Sequence, residues 1–329
     1  MSKLYLSSGY ADQEYMISAG NTFIFQVGAR GTGKTYGALE YLLNHGIKFL
    51  YIRRTDTESK MVMSGLVNPF KALNTDVKVV RGKMLGTFML HDYCIGYCAA
   101  LSTFHNIRGM DFSDVEFIYF DEFIPEKAAR PIKDEYKTLM NLYETVNRNR
   151  ELQNMEPVKM LCSANSNTLD NPIFLGLEIV NKIAKMMNSG NEIYHDPDRM
   201  LTVYMLMKSP ISEKKAQTAL YKLTAGQEFQ NMALKNMFDL DTTSIRPSKL
   251  IEYNPYAKCG ELCVYKHKSR KEYYVNCAAS GTFPRVYSTN DMDLVRFRTK
   301  HIIVFDAYIQ NRVYFEDATS LYLFEKFYN

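Results

Sequence analysis

Apolar positions in the first two thirds of the chain gather into short continuous runs, separated by polar or glycine-containing breaks. Residues 22–27, apolar but for Thr22 and Gln26, predict a buried strand, and residues 36–43 predict a helix after an intervening loop. Residues 48–52 predict a second strand, ending at Arg53 and Arg54. Three short alternating segments, 77–80, 87–90 and 95–99, are broken by Gly82, Gly86 and Gly96 and read as a small β meander inserted before the next long strand. That strand, 115–120, is apolar on both faces, as in the middle of a parallel sheet. A helix over 136–148 follows, with Leu139, Leu142, Tyr143 and Val146 on one stripe, and residues 158–162 predict one more central strand.

Beyond residue 205 the pattern changes. Residues 212–238 are helical in two runs, with Ala216, Leu220 and Leu223 before Gly226, and Phe229, Met232 and Ala233 after it. Residues 243–254, with Pro247 inside and Pro255 just after, read as a linker. Residues 262–265 and 273–277 predict a hairpin. A helix from Asp291 toward Tyr308 and a closing segment rich in Tyr, Leu and Phe complete the chain. The expected division is an α/β sheet domain over 1–205, a helical linker over 206–244 and a smaller domain over 245–329.

The loop between the first strand and the first helix carries the strongest chemical signal. Gly28-Ala29-Arg30-Gly31-Thr32-Gly33-Lys34-Thr35 fills every fixed position of a phosphate-binding P-loop. Its glycines let backbone N–H groups curl around phosphate oxygens, and the helix N-terminus adds its positive dipole end. Lys34 would reach the β- and γ-phosphates of ATP, and the Thr35 hydroxyl would ligate Mg²⁺. The strand at 115–120 ends in Asp121-Glu122, at the C-terminal edge where open α/β sheets bind ligands. Asp121 is the expected Mg²⁺ partner, direct or through water, and Glu122 the base that polarises a water for attack on the γ-phosphate. A kinase must keep water from that phosphate, so the second acid argues for hydrolysis. Asn165, after the strand at 158–162, stands where a γ-phosphate sensor would sit, although Asn and Ser also favour plain turns.

Arg148 closes the helix over 136–148, and Arg150 joins the same wheel if the helix continues. At about 100° per residue Arg148 lies about 200° from Val146, and Arg150 about 40°. Arg148 therefore points away from its own core, either as a cation at a helix C-terminus or toward a neighbouring subunit.

Composition narrows the class. The chain has 329 residues, 46% hydrophobic and 13% aromatic, enough to bury a core in two domains. No apolar run approaches a membrane span, and the richest stretch, 89–104, is interrupted by His91 and Asp92. The N-terminus lacks the pattern of a signal peptide. Six cysteines in so long a chain are no disulfide framework. Cys259, Cys263 and His267 have metal-like spacing but no fourth ligand nearby. The net charge is +4, yet residues 246–300 carry +6, which leaves the remainder slightly acidic. Lys266, Lys268, Arg270 and Lys271 form the densest patch, read either as a polyanion surface or as a solvated hairpin tip.

Taken together, these motifs resemble the DNA-packaging ATPases of phi29-like tailed phages, relatives of the large terminases. The resemblance is carried by the P-loop with arginine third, Tyr51-Ile52-Arg53-Arg54, Asp121-Glu122-Phe123-Ile124, residues 144–151 including Asn147-Arg148-Asn149-Arg150, and Leu161-Cys162-Ser163-Ala164-Asn165 leading to Asn171-Pro172. It covers residues 20–175 well and is weak beyond about residue 200. It implies a P-loop NTPase of the additional-strand, catalytic-glutamate type with a central, mostly parallel sheet. A C-terminal α+β domain of RNase H-like nuclease fold would have lost its chemistry, because the strand expected to lead it, 262–267, carries Lys266 and His267 instead of an aspartate. The resemblance further implies a homopentameric ring in the host cytoplasm, docked on the portal of a procapsid and pumping double-stranded DNA. Arg148 would be the trans arginine finger. Arg108 would grip DNA, with Arg54 a second candidate for which plain surface charge is the favoured reading. The basic C-terminal patch would bind DNA or a structural packaging RNA. Two other readings stay open: a terminase with a live nuclease, and an assembly protein switched by ATP with negligible turnover.

Overall fold

The computed structural model describes residues 3–126, 132–166, 169–207, 209–223 and 250–328. The chain divides into two units, Met1–Leu177 with Lys182–Asp239, and Glu178–Asn181 with Leu240–Asn329.

In the first unit nine strands form one sheet: β1 (Phe23–Gly28), β2 (Phe49–Arg53), β3 (Val77–Val80), β4 (Gly86–Leu90), β5 (Tyr93–Ala100), β6 (Phe117–Asp121), β7 (Lys159–Asn165), β8 (Ile193–Asp196) and β9 (Leu201–Leu206). Their order is β3-β4-β5-β2-β6-β7-β1-β9-β8. The strands from β5 through β9 in that order are parallel, and β3–β4–β5 and β8–β9 pair antiparallel. β2, β6, β7, β1 and β9 are buried at nearly every position, which explains their near-continuous apolar runs. Helices α1 (Gln13–Ala19), α2 (Lys34–Asn44), α3 (Asp56–Met63), α4 (Glu135–Asn147), α5 (Pro172–Gly176), α6 (Val180–Asn188), α7 (Pro210–Ala216) and α8 (Ala219–Leu223) accompany the strands. On one side, Leu39 and Leu42 of α2 and Val62 of α3 share a cluster with Phe49, Tyr51, Phe70 and Phe88. Truncating one of these buried phenylalanines to alanine costs about 3–5 kcal/mol. Thr55 starts α3 with a capping box to Glu58, so the chain turns sharply out of β2.

Three expectations change here. The meander is not a separate insert, because β5 joins β2 in parallel and extends the main sheet. β9, with its partner β8, was not anticipated; it is wholly buried and flanks β1. Of the helical stretch expected over 212–238, only α7 and α8 are described. Residues 224–249, which hold most of the expected linker, lie outside the described residues.

The second unit holds β10 (Tyr253–Cys259), β11 (Leu262–His267), β12 (Tyr273–Asn276), β13 (Val286–Tyr287) and β14 (Val313–Phe315), in the order β13-β10-β11-β12-β14. β10, β11 and β12 are antiparallel; β13 runs parallel to β10 and β14 to β12. The expected hairpin is β11–β12. The expected linker, however, ends in β10, where Pro255 sits beside a register shift that accommodates its missing N–H. β10, not β11, therefore leads this meander. Cys259 and Cys263 belong to separate clusters on opposite sheet faces, so they do not converge with His267. Among the described residues no three His, Cys, Asp or Glu side chains gather into a metal-holding group.

The expected helix from Asp291 toward Tyr308 is two, α9 (Asp291–Lys300) and α10 (Ile302–Ile309), divided at His301, with α11 (Ala318–Tyr328) closing the chain. His301 is fully buried among the rings of Tyr256, Tyr287 and Phe297. Burial, aided by the charges of Arg285 and Lys300, lowers its pKa to about 4. The native state refuses a proton that the unfolded chain accepts below the ordinary value of 6.5. Stability of this unit is therefore expected to fall as pH drops from 6.5 toward 4, by at most about 1.4 kcal/mol per pH unit. Thermal unfolding at about pH 7 and about pH 5 checks this. His301→Asn should flatten the difference, and an unchanged slope would assign it to other groups.

Candidate nucleotide site

The site is built where β1, β6 and β7 end side by side. Gly28 closes β1 against Leu206 of β9, so tightly that a Cβ would stand 2.6 Å from the Leu206 Cβ. Gly31 and Gly33 take φ +69° and +87°, the left-handed region, and Gly33 is the N-cap of α2 with no side-chain capping bond. The first-turn N–H groups of α2 thus face the loop as a ready anion cradle.

Lys34 is buried, and its ammonium donates to the carbonyls of Gly28 (2.9 Å) and Ala29 (2.8 Å). It lies 3.4 Å from the Thr32 hydroxyl and 3.4 Å from Asn165 Oδ1. Burial lowers its pKa to about 7; Asp121 and Glu122 oppose that shift, and Lys215 and Arg30 reinforce it. An anion in the loop would favour the charged ammonium, so the loop is electrostatically set for phosphate.

Across the cleft Asp121 ends β6. Its Oδ1 accepts from Thr35 Oγ1 (3.1 Å) and Tyr119 Oη (3.2 Å), and its Oδ2 from Tyr51 Oη (2.8 Å) and Arg53 Nη1 (3.2 Å). Glu122, the next residue, adopts φ 58° and lifts its half-exposed carboxylate out of the sheet, where it pairs with Arg53 Nη2. Arg53 therefore grips both acids. Lys34, Thr35, Asp121, Glu122 and Asn165 all line one cleft of about 370 Å³. The Thr35 hydroxyl beside the Asp121 carboxylate is a donor set of hard oxygens that fits Mg²⁺. Arg30 turns outward to an ion pair with Glu126 (2.6 Å).

The other expected residues lie elsewhere. α4 ends at Asn147, so Arg148 and Arg150 are not on the helix and the wheel projection does not apply to them. Arg148 takes φ 47° and, half exposed, donates to the Met110 carbonyl (2.8 Å) with Asp111 at 4.0 Å. Arg150 is engaged by the carbonyls of Glu156 (3.0 Å) and Val115 (3.0 Å). Arg108 is exposed after the 3-10 turn Leu101–Ile107. Arg54 is neither surface charge nor available to nucleic acid. It is buried, with Nε and Nη2 bonded to the two oxygens of Glu135 at 2.7 and 2.9 Å. In the second unit Lys266, Lys268, Arg270 and Lys271 are all exposed; Arg270 pairs with Glu252 and Glu272, both at 3.5 Å, and Lys268 donates to the Ile251 carbonyl at 2.6 Å.

Sequence reasoning missed Tyr51, Arg53 and Tyr119 as partners of the acids. The signal was the strand order: β2 lies beside β6, with Tyr51 opposite Tyr119 in the register. The profile of the podovirus DNA encapsidation protein (Gp16) family matches residues 6–310. The DNA packaging proteins of Bacillus phages phi29 and PZA are each 29% identical to this chain over 239 residues, 70% of this chain and 66% of theirs. The alignments thus span just under two thirds of those relatives. A chain of the bacteriophage phi-29 viral genome packaging motor assembly superposes with TM-score 0.67 at 20% identity, over 97% of this chain and 99% of that one. The Phi-28 gp11 DNA packaging motor gives 0.64 at 21%, over 98% and 97%. These two likenesses extend the shared fold along nearly the whole chain.

Proposed function

Since the chain belongs to the podovirus DNA encapsidation protein (Gp16) family, we propose that it is an ATP-driven motor that packages double-stranded viral DNA into a procapsid. The observation that carries this reading is the cleft itself, with a phosphate loop, a hydroxyl–carboxylate metal pair and a second acid at adjoining strand ends. β7 between β1 and β6 supports the additional-strand type of NTPase.

In this reading the loop N–H groups and Lys34 bind the phosphates of ATP, and Asn165, next to Lys34, senses the γ-phosphate. Thr35, backed by Asp121, holds Mg²⁺, which supplies charge neutralisation of the phosphates when bound. Glu122 takes the proton of the attacking water. Arg53 orients that carboxylate, and the pair must loosen for Glu122 to act as a base. Arg148, exposed on a loop, completes a neighbouring subunit's site in a homo-oligomeric ring, as a pentamer on the portal in the host cytoplasm. Arg108 grips the DNA backbone.

The second unit is read as a vestigial nuclease-like domain that binds nucleic acid, DNA or a structural RNA, through Lys266, Lys268, Arg270 and Lys271. The order β12-β11-β10-β13, three antiparallel strands and then a parallel one, supports the RNase H-like topology. β10, which leads the meander, carries Lys258 and no acid, and this supports binding without cutting.

The test is the steady-state ATPase rate per subunit against protein concentration, with and without linear duplex DNA. The rate should climb with both, fall steeply with salt as backbone contacts release counterions, and be poisoned by Arg148→Ala subunits mixed into wild type. A rate per subunit indifferent to DNA and to the poison would remove the shared-site motor.

A further inference from the structure

Lys215, in the last turn of α7, reaches a segment far from it in sequence. Its ammonium donates to the Arg30 carbonyl at 2.6 Å, on the crest of the phosphate loop. It lies 1.9 Å from where a Cβ on Gly31 would stand, so the loop is open at that point to admit it. A cation at a helix C-terminus is ordinary, but this one leaves its own helix to cap another segment.

The position is a junction. Beyond the loop opens a cavity of about 830 Å³, lined by Tyr10, Gln13, Tyr36, Glu40 and Lys215 among others. That cavity shares Gly31, Gly33 and Tyr36 with the smaller cleft that holds Lys34 and the acids. A nucleotide with its phosphates in the cleft and its remainder in the larger cavity would pass beneath Lys215. Neighbouring cations differ in what holds them. Arg30 is ion-paired to Glu126, whereas the Lys215 bond is to a neutral carbonyl. Burial also pulls the Lys215 pKa down, a cost that a nearby anion offsets. The carbonyl offers the ammonium only a dipole, whereas a phosphate oxygen brings an opposite charge as well, so phosphate outcompetes the carbonyl.

We infer that Lys215 is a further nucleotide-binding residue, whose ammonium leaves the Arg30 carbonyl for the polyphosphate when nucleotide enters. The inference rests on the nucleotide reading of the cleft. It makes α7 the element that registers occupancy of the loop.

Competition binding of adenosine, ADP and a non-hydrolysable ATP analogue against a fluorescent ADP tests it on the full chain, with Lys215→Ala, Lys215→Arg and Lys34→Ala beside wild type. Lys215→Ala should weaken ADP and the ATP analogue about ten-fold, leave adenosine unchanged, and be partly rescued by Lys215→Arg. Equal ADP affinity in Lys215→Ala and wild type would overturn the inference. So would an equal loss for adenosine and ADP, which would mean that the loop had merely been distorted. Failure of wild type to bind ADP, or full binding by Lys34→Ala, would instead remove the nucleotide reading and this inference with it.

Discussion

Replacing Glu122 with glutamine is expected to lower ATP turnover by about three orders of magnitude while ATP binding stays within a few-fold. Glutamine keeps the shape of the side chain and can still accept a hydrogen bond from Arg53. It cannot accept the proton of the attacking water. The backbone there is already in the left-handed region, at φ 58°, so a substitution that keeps the side-chain volume adds no new strain. Glu122 is also half exposed, and without its charge Arg53 keeps its pairing with Asp121. Single-turnover hydrolysis with excess enzyme, alongside equilibrium nucleotide binding, separates chemistry from affinity. A variant that keeps more than about a tenth of wild-type turnover would move the base elsewhere.

Arg54→Ala is expected to destabilise the protein as much as the loss of a core phenylalanine. It should cost about 3–5 kcal/mol, because it strands Glu135 in the interior without its partner. Both side chains are almost completely buried, and burial already raises the Glu135 pKa while Arg54 lowers it. Removing the guanidinium leaves the carboxyl the choice between an uncompensated charge and taking up a proton. Chemical denaturation followed by circular dichroism measures the loss. The double replacement Arg54→Met with Glu135→Leu should recover much of it, since a paired hydrophobic substitution removes both desolvation costs at once. If Arg54→Ala were as stable as wild type but deficient only in DNA-stimulated turnover, the structural role would be wrong.

The contrast between Arg53 and Arg54 marks how far the sequence could be read. Both follow one apolar strand. Alternation along a strand sends them to opposite faces, but nothing in the sequence tells which face meets the acids. β6 runs beside β2, so Arg53 meets Asp121 and Glu122, and Arg54 is left to the first residue of α4. The loop, Thr35 and the two acids were legible because their chemistry is encoded locally, in glycine spacing and at the end of an apolar strand. β9 was harder: its run is short and apolar, and without its neighbours such a run cannot be told from a helix segment. Arg148 is exposed for a different reason from the one the periodicity supplied. Helical periodicity was projected past Asn147, but Arg148 itself takes a positive φ and ends the helix as its C-cap.

The rims of the nine-stranded sheet bear on how many copies can crowd together. β3 and β8, its outermost strands, are four residues each, and Lys78 on one and His195 with Asp196 on the other interrupt their apolar character. Short, charged outer strands are poor templates for another chain's backbone. Copies at high local concentration are thereby discouraged from fusing rim to rim into a continuous β structure. Contacts between copies are left to side chains, which can be broken and remade without unzipping a ladder of backbone hydrogen bonds.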